Sequence, residues 1–383
     1  MRVAIDYTAA IYQAAGIGRF VRSLVWALSE IDPETEYLLV YADPPRGTLP
    51  SIPRAPNFSA RRIPISERAL TVLWHRLTLP FPVDLITGPV DVFHSPDFVL
   101  PPVWRASSVL TVHDLAFLLR PECAEEGLRD YLEKTVPRSV ARADFILADS
   151  VNTQDDLICL LGVPPSKIEV VPGGVDPSFV PVRDPKVLEA VRQRLTGGAP
   201  FILSVGMIEP RKNLALLIDA FGLLKSRHHL PHKLVLAGKK GWLSEGIYER
   251  AARSPVSSEI VFPGYVPESD LPALYSAADL FAFPSLYEGF GLPPLEAMAC
   301  GTPVVASRAA SLPEVVGDAA IMVDPESLED LAEGLAKPLT DARLREQMVA
   351  SGFRQSKQFT WRASARKMLA VYRRLSSGFS PSP

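Results

Sequence analysis

Two glutamates, Glu288 and Glu296, stand eight residues apart on either side of the glycine-rich turn Gly289-Phe290-Gly291. An apolar stretch that reads as a strand, Leu280–Pro284, precedes the turn, and a stretch that reads as a helix, Leu292–Cys300, follows it. A strand, a glycine turn and a helix N-terminus together present backbone N–H groups to a phosphate. The N–H groups of Phe290, Gly291 and Leu292 are therefore candidates to bind phosphate and sugar hydroxyls. Pro293 suits the first helical turn, where its missing N–H costs nothing. Glu296 then lies about one turn inside the helix and Glu288 just before the turn. Both carboxylates are expected to face one ligand, Glu296 accepting from hydroxyls beside the phosphate and Glu288 from the group beyond it.

If the phosphate bound at this turn were a leaving group, its negative charge would have to be stabilised. One solution is a divalent metal on an Asp-x-Asp motif, which this chain lacks. The other is cationic side chains with a helix N-terminus. Arg211 and Lys212 follow the predicted strand Phe201–Val205, at the carboxyl edge where α/β sheets bind ligands. They are the candidates for that charge, and no metal ligand is assigned.

The stretch Tyr287 to Ala297 resembles the Glu-x7-Glu signature of the retaining glycosyltransferases of family 4. Four further pieces resemble that family, in its order: Gly16-Ile17-Gly18-Arg19, Thr111-Val112-His113-Asp114, Val205 to Asn213, and Phe262-Pro263-Gly264-Tyr265-Val266. The resemblance spans nearly the whole chain. It implies a GT-B fold, two Rossmann-like β/α/β domains facing a central cleft, and a nucleotide-diphospho-sugar as donor substrate with no separate cofactor. It implies that His113 contacts the donor sugar and that Tyr265 and Val266 hold the nucleobase through backbone groups, although the Tyr265 ring reads equally well as a packed turn aromatic. Gly16 and Gly18 are expected in a loop over the donor phosphates or the acceptor, with Arg19 beside an anionic acceptor. Asp114 is expected to orient loops, and His94, at another strand end, is a secondary candidate. Met207 departs from the family, many of whose members carry Arg directly after that glycine, so Lys212 and Arg211 would be the main diphosphate clamp. Gly-Ile-Gly-Arg and Ile-Glu-Pro-Arg-Lys-Asn resemble bacterial mannosyltransferases of polysaccharide assembly, which makes GDP-mannose the first expected donor. The acceptor implied is a saccharide or a polyprenyl-linked saccharide.

The elements that must position these residues form two alternating β/α halves. Short apolar strands buried on both faces of a parallel sheet are predicted at Val3–Tyr7, Tyr37–Tyr41, Val90–His94, Ser108–Val112, Phe145–Asp149 and Lys167–Val171. They resume at Phe201–Val205, Lys233–Ala237, Ile260–Phe262, Leu280–Pro284, Val304–Ala306 and Ile321–Val323. Phe20, Val21, Leu24, Val25 and Leu28 recur at helical spacing. This organisation gives an acceptor-side domain over 1–180 and a nucleotide-sugar domain over 186–358. A helix at about 360–376 is expected to pack back on the first.

At 383 residues and a formal net charge of −3 the chain has cores for two domains and no field that would attract nucleic acid. Cys123, Cys159 and Cys300 form no framework and read as reduced thiols, which fits a cytoplasmic protein. No apolar run is long enough to span a bilayer. Arg54 to Pro80 reverses the local charge, with Arg54, Arg61, Arg62, Arg68 and Arg76 against Glu67. It reads either as a core helix burying Leu73 and Leu77 or as a segment in peripheral contact with the inner membrane. Other readings compete with glycosyl transfer. A sugar-nucleotide epimerase or a disaccharide-phosphate synthase shares the fold, and a non-catalytic sugar-nucleotide-binding protein would not need the retained charges. A dinucleotide oxidoreductase would need a full Gly-x-Gly-x-x-Gly fingerprint, which neither half carries.

Overall fold

Thirteen short strands, most of them buried on both faces, form two parallel sheets in the computed structural model, which describes residues 1–13, 16–44, 51–77 and 79–378. In the first sheet the strands are β1 (Arg2–Asp6), β2 (Glu36–Ala42), β3 (Phe58–Ile63), β4 (Val92–Ser95), β5 (Ser107–Val112), β6 (Phe145–Ala148) and β7 (Ile168–Val170), ordered β3-β2-β1-β4-β5-β6-β7. The second holds β8 (Phe201–Val205), β9 (Lys233–Ala237), β10 (Ile260–Gly264), β11 (Leu280–Phe283), β12 (Val304–Ser307) and β13 (Ala320–Val323), ordered β10-β9-β8-β11-β12-β13. Both repeat the doubly wound order in which the chain works outward from the first strand, returns, and continues on its other side. The fold class is therefore the expected one, α/β with two Rossmann-like sheets.

The chain divides into two units. One comprises residues 1–115, 130–174 and 360–383, the other 116–129 and 175–359. Helices cover the sheets because their apolar stripes match the apolar strand faces. On the helix Ile17–Ile31 the buried set is Phe20, Val21, Leu24, Val25 and Leu28. On the helix Leu214–His228 it includes Leu217, Ile218, Phe221 and Leu224.

The helix Trp361–Ser376 belongs to the first unit. Trp361 meets the Phe20 ring edge-on at 5.2 Å, and Arg374 lies over the Phe145 ring at 4.4 Å. The Tyr372 hydroxyl is 2.6 Å from His94 Nδ1, while His94 Nε2 is 2.8 Å from Thr111 Oγ1. Burial, with His113 nearby, depresses the His94 pKa to about 3, so the ring is neutral. His94 is a latch between a strand and this helix.

The core-helix expectation for Arg54 to Pro80 fails, and one strand there was not foreseen. β3 lies in the basic stretch that reads as helix or interfacial segment. It is an edge strand with Ser59, Ala60, Arg61 and Arg62 all exposed, so it lacks the apolar signature of its neighbours. Beyond it come the short helix Glu67–Thr71 and one π-helical turn, Val72–Arg76, rather than a helix burying Leu73 and Leu77. Trp74 is buried there, whereas Leu77 is 58% exposed. Thr78 lies outside the described residues.

Candidate functional site

In a doubly wound sheet, the loops that leave adjacent strands in opposite directions open a crevice at the carboxyl edge. In the second unit those strands are β8 and β11. The loop after β8 contains the short turn Pro210–Lys212 and then Asn213, whose left-handed φ of 55° starts the next helix. Asn213 Nδ2 donates to the carbonyls of Pro284 (3.2 Å) and Pro325 (2.8 Å), and the Leu286 N–H donates to the Arg211 carbonyl at 2.8 Å. These bonds tie the two loops together and bring Arg211, Lys212 and Glu288 into one cluster.

Within the cluster, Lys212 Nζ donates to Glu288 Oε1 at 2.6 Å and Arg211 Nη1 to Glu288 Oε2 at 3.0 Å. Arg211 also donates to the Tyr287 carbonyl at 3.0 Å and to Glu209 Oε1 at 2.9 Å. Lys212 Nζ lies 5.0 Å from the centre of the Phe283 ring. Glu209 and Glu288 are both buried. Burial alone would raise the Glu288 pKa, but Arg211 and Lys212 overcome it and hold the carboxyl at about 2. The cluster is a compact set of two cations and two carboxylates, able to exchange a carboxylate partner for another anion. Glu209 sits inside the motif read from the sequence, yet its role is visible only in its contact with Arg211.

The turn that follows is fixed by Ser311, whose hydroxyl is 2.8 Å from the Glu288 carbonyl and 2.7 Å from that of Phe290. Gly291, at φ +116°, starts the helix Leu292–Ala299, and a Cβ there would come within 2.8 Å of Leu312. Among the first three residues of this helix only Leu292 carries an N–H, since Pro293 and Pro294 have none, and that group has no partner within the helix. Glu296 is only 1% exposed, and its Oε2 accepts from the Tyr275 hydroxyl at 3.0 Å. Tyr275, which sequence reasoning missed, orients this carboxylate.

The loops after β8, β9 and β10 form one wall of the same edge. The Gly206 N–H donates to the Ala237 carbonyl, that of Ile208 to Lys239, and that of Gly238 to Gly264. A Cβ on Gly238 would sit 1.7 Å from the Gly206 carbonyl oxygen, so only glycine fits. Tyr265 is exposed with Lys239 Nζ 4.7 Å from its ring centre, and Val266 packs against the core beside it. Met207 is exposed on the same stretch.

In the first unit the neighbours at the crossing are β1 and β4. Asp6 ends β1 and Asp97 follows β4, and sequence reasoning had passed over both. Burial, partly offset by His113 and reinforced by Asp6, pushes the Asp97 carboxyl up to about 6. His113, at the end of β5, is buried between the edges of Phe20 (5.1 Å) and Phe98 (5.5 Å). Its Nδ1 is 2.7 Å from Asp149 Oδ2 and its Nε2 2.9 Å from the Pro96 carbonyl. Burial opposes the charge, but Asp149 foremost raises the His113 pKa to about 9. The ring is therefore an imidazolium donating at both nitrogens. Gly16 has φ +60°, which suits glycine, but Gly18 is required for another reason than ligand approach. A Cβ there would lie 2.1 Å from the Gln13 carbonyl oxygen, so the helix packs on its own preceding loop. Arg19 follows it in the first turn of the helix Ile17–Ile31.

A family model described as Glycosyltransferase Family 4 matches residues 14–179, and one described as Glycosyl transferases group 1 matches residues 189–355. The O-antigen chain mannosyltransferase B of Escherichia coli is 34% identical over 284 residues, covering 74% of each chain. The serotype-specific mannosyltransferase WbdA of Escherichia coli is 33% identical over 281 residues, 71% of this chain, which spans only 34% of that longer protein. The solved sucrose-phosphate synthase from Thermosynechococcus elongatus superposes with a TM-score of 0.78 at 21% identity, covering 99% of this chain and 100% of that one. At that identity the likeness is one of fold, the GT-B class.

Proposed function

This chain is a glycosyltransferase belonging to family 4, and from that premise we propose a retaining, metal-independent transfer of mannose from GDP-mannose to a saccharide or lipid-linked saccharide. The mannosyl part is supported by the names of the relatives and by the Ile208-Glu209-Pro210-Arg211-Lys212-Asn213 stretch. The observation that carries the mechanism is the pairing of Lys212 and Arg211 with Glu288 at the carboxyl edge of the second sheet.

An arriving donor offers its diphosphate to Lys212 and Arg211 in competition with Glu288. The two cations then stabilise the charge that develops as the bond from the sugar's C1 to the diphosphate oxygen breaks. The N–H groups of Gly291 and Leu292, at the mouth of the helix Leu292–Ala299, add partial positive charge, Pro293 and Pro294 having no N–H to offer. Glu288, displaced towards the sugar, accepts from a hydroxyl and stabilises the oxocarbenium-like state. Glu296, held by Tyr275, accepts from the ribose hydroxyls, and the turn at Tyr265 and Val266 holds the base. The acceptor hydroxyl forms the new bond to C1 on the face the diphosphate leaves. Its proton passes to a diphosphate oxygen, and GDP departs. For His113 the family resemblance implies a contact with the donor sugar, although its two ring nitrogens are engaged by Asp149 and the Pro96 carbonyl.

The test is transfer from GDP-mannose in excess EDTA, with the anomeric configuration of the product read by NMR. Turnover unchanged by EDTA with retention is the expected result. Activity abolished by chelation and restored by Mg²⁺ or Mn²⁺ would remove the metal-independent mechanism. An inverted product would remove the retaining one, and turnover of another nucleotide sugar alone would remove the donor.

A further inference from the structure

Large apolar side chains exposed singly are ordinary on a protein surface, but contiguous ones need an explanation. In the first unit Leu77, Leu79, Phe81, Leu85 and Trp104 are all exposed, with Leu85 at 65% and Trp104 at 67%. Backbone bonds hold the segments that carry them together. The Leu79 N–H donates to the Leu73 carbonyl at 3.0 Å, and Trp74 Nε1 donates to the Phe81 carbonyl at 2.8 Å. The Val83 N–H donates to the Pro102 carbonyl at 2.9 Å. The Asp84 carboxylate, next to Leu85, accepts from the N–H groups of Trp104 (2.9 Å), Arg105 (3.0 Å) and Ala106 (3.3 Å). Phe81, Leu85 and Trp104 thus stand on a braced platform.

The charge around the platform is mostly positive. Arg105 adjoins Trp104, Arg76 adjoins Leu77, and the Arg61 guanidinium reaches the Ile86 carbonyl one residue past Leu85. The acids close by are already engaged: Asp84 by three backbone N–H groups and Asp43 by Arg62 at 2.6 Å. Aromatic and aliphatic side chains inside a rim of arginines match a bilayer boundary. There the apolar groups enter the acyl region while guanidinium groups stay at the anionic headgroups. Among the described residues no helix is long and apolar enough to cross a membrane, so this contact would be peripheral.

We propose that Phe81, Leu85 and Trp104, rimmed by Arg61, Arg76 and Arg105, form a docking surface for an anionic lipid bilayer. The inference is independent of which sugar is transferred, and it differs from the basic-helix reading of Arg54 to Pro80 because its apolar contacts come from Phe81, Leu85 and Trp104, beyond that stretch.

The experiment is flotation of the full chain with extruded phosphatidylcholine vesicles and with vesicles in which part of the phosphatidylcholine is replaced by the anionic lipid phosphatidylglycerol. Binding is expected to the anionic vesicles at low salt and to weaken sharply as salt rises. Arg61→Ser with Arg105→Ser lowers the partition coefficient roughly 20–30-fold, at about fivefold for each arginine. Phe81→Ser, Leu85→Ser and Trp104→Ser together abolish binding. Unchanged thermal stabilisation by GDP shows that these variants are folded, and transfer to a soluble acceptor analogue stays at the wild-type rate. Equal binding to both vesicle types, undiminished binding by the triple variant, or no binding by the wild type would each overturn the proposal. Loss of a dimer in sedimentation velocity on making the triple variant, without lipid binding by the wild type, would overturn it in favour of a second copy of the chain. Failure of GDP-mannose turnover bears on the donor reading and leaves the flotation result unaffected.

Discussion

Lys212 Nζ and Glu288 Oε1 are 2.6 Å apart, so the cation proposed to receive a diphosphate is already bound to the carboxylate proposed to receive the sugar. Arg211 holds the other oxygen of the same carboxylate at 3.0 Å. The pairing keeps two buried-edge cations compensated before a ligand arrives, since an unpaired charge there would be costly.

Lys212→Ala is therefore expected to lower kcat by roughly 10²–10³-fold, the scale for losing one preorganised charge stabiliser. Glu288→Gln is expected to lower kcat as well while leaving GDP affinity equal or higher, because it frees Lys212 and Arg211 for the diphosphate. Calorimetric titration of GDP alongside steady-state rates separates the two. Weaker GDP binding by Glu288→Gln would contradict the exchange of partners.

Glu296 acts through its carboxylate and Tyr275 through the orientation of that carboxylate. Glu296→Ala is expected to weaken GDP binding by about 1.5–3 kcal/mol, and Tyr275→Phe by about 1 kcal/mol. Both should leave kcat within a few-fold of the wild type. If Glu288→Ala and Glu296→Ala shift affinity and kcat identically, the division of roles between the two carboxylates is wrong.

Two buried groups titrate in opposite directions from their unfolded values. Glu288, held at about 2, stabilises above its unfolded value near 4.5, and that stability is lost as pH falls towards 2. His113, raised to about 9, stabilises fully below its unfolded value near 6.5, and that stability is lost as pH rises through 9. A neutral ring cannot donate to both Asp149 and the Pro96 carbonyl. Melting temperatures measured from pH 6 to 10 should fall along the alkaline limb, and His113→Gln should flatten it. An alkaline limb identical in the variant would assign it to other groups.

Gly238→Ala drives a methyl group into the Gly206 carbonyl, 1.7 Å away, and neither side is a flexible side chain. A cost of about 3 kcal/mol or more is expected in urea denaturation. Gly246→Ala, in the helix Glu245–Arg253 with nothing within 4 Å, is expected to be neutral or stabilising by about 0.5 kcal/mol. Similar losses for both would mean that the loops after β8 and β9 separate readily.

Arg211, Lys212 and Glu288 were legible as candidate residues because each lies in a loop that leaves a strand buried on both faces, and such strands read as unbroken apolar runs. Their mutual contact was not legible, since it depends on β8 lying beside β11, a pairing no local pattern encodes. β3 escaped notice because an edge strand with arginines facing water carries no apolar run. Tyr275 and Asp149 were missed for a related reason. Each is recognisable only by the partner it meets, Glu296 in one case and His113 in the other. Gly18 was read as allowing close approach of a ligand, but the neighbour it accommodates is its own chain at Gln13.

The latch between His94 and Tyr372 bears on how the nascent chain matures. The strands it secures are among the first residues made, yet the helix Trp361–Ser376 follows all of residues 175–359. At synthesis rates of about 5–20 residues per second that interval is roughly 10–40 s. Throughout it the Phe20 and Phe145 rings lack the cover of Trp361 and Arg374. The half of the protein synthesised first is therefore the half completed last.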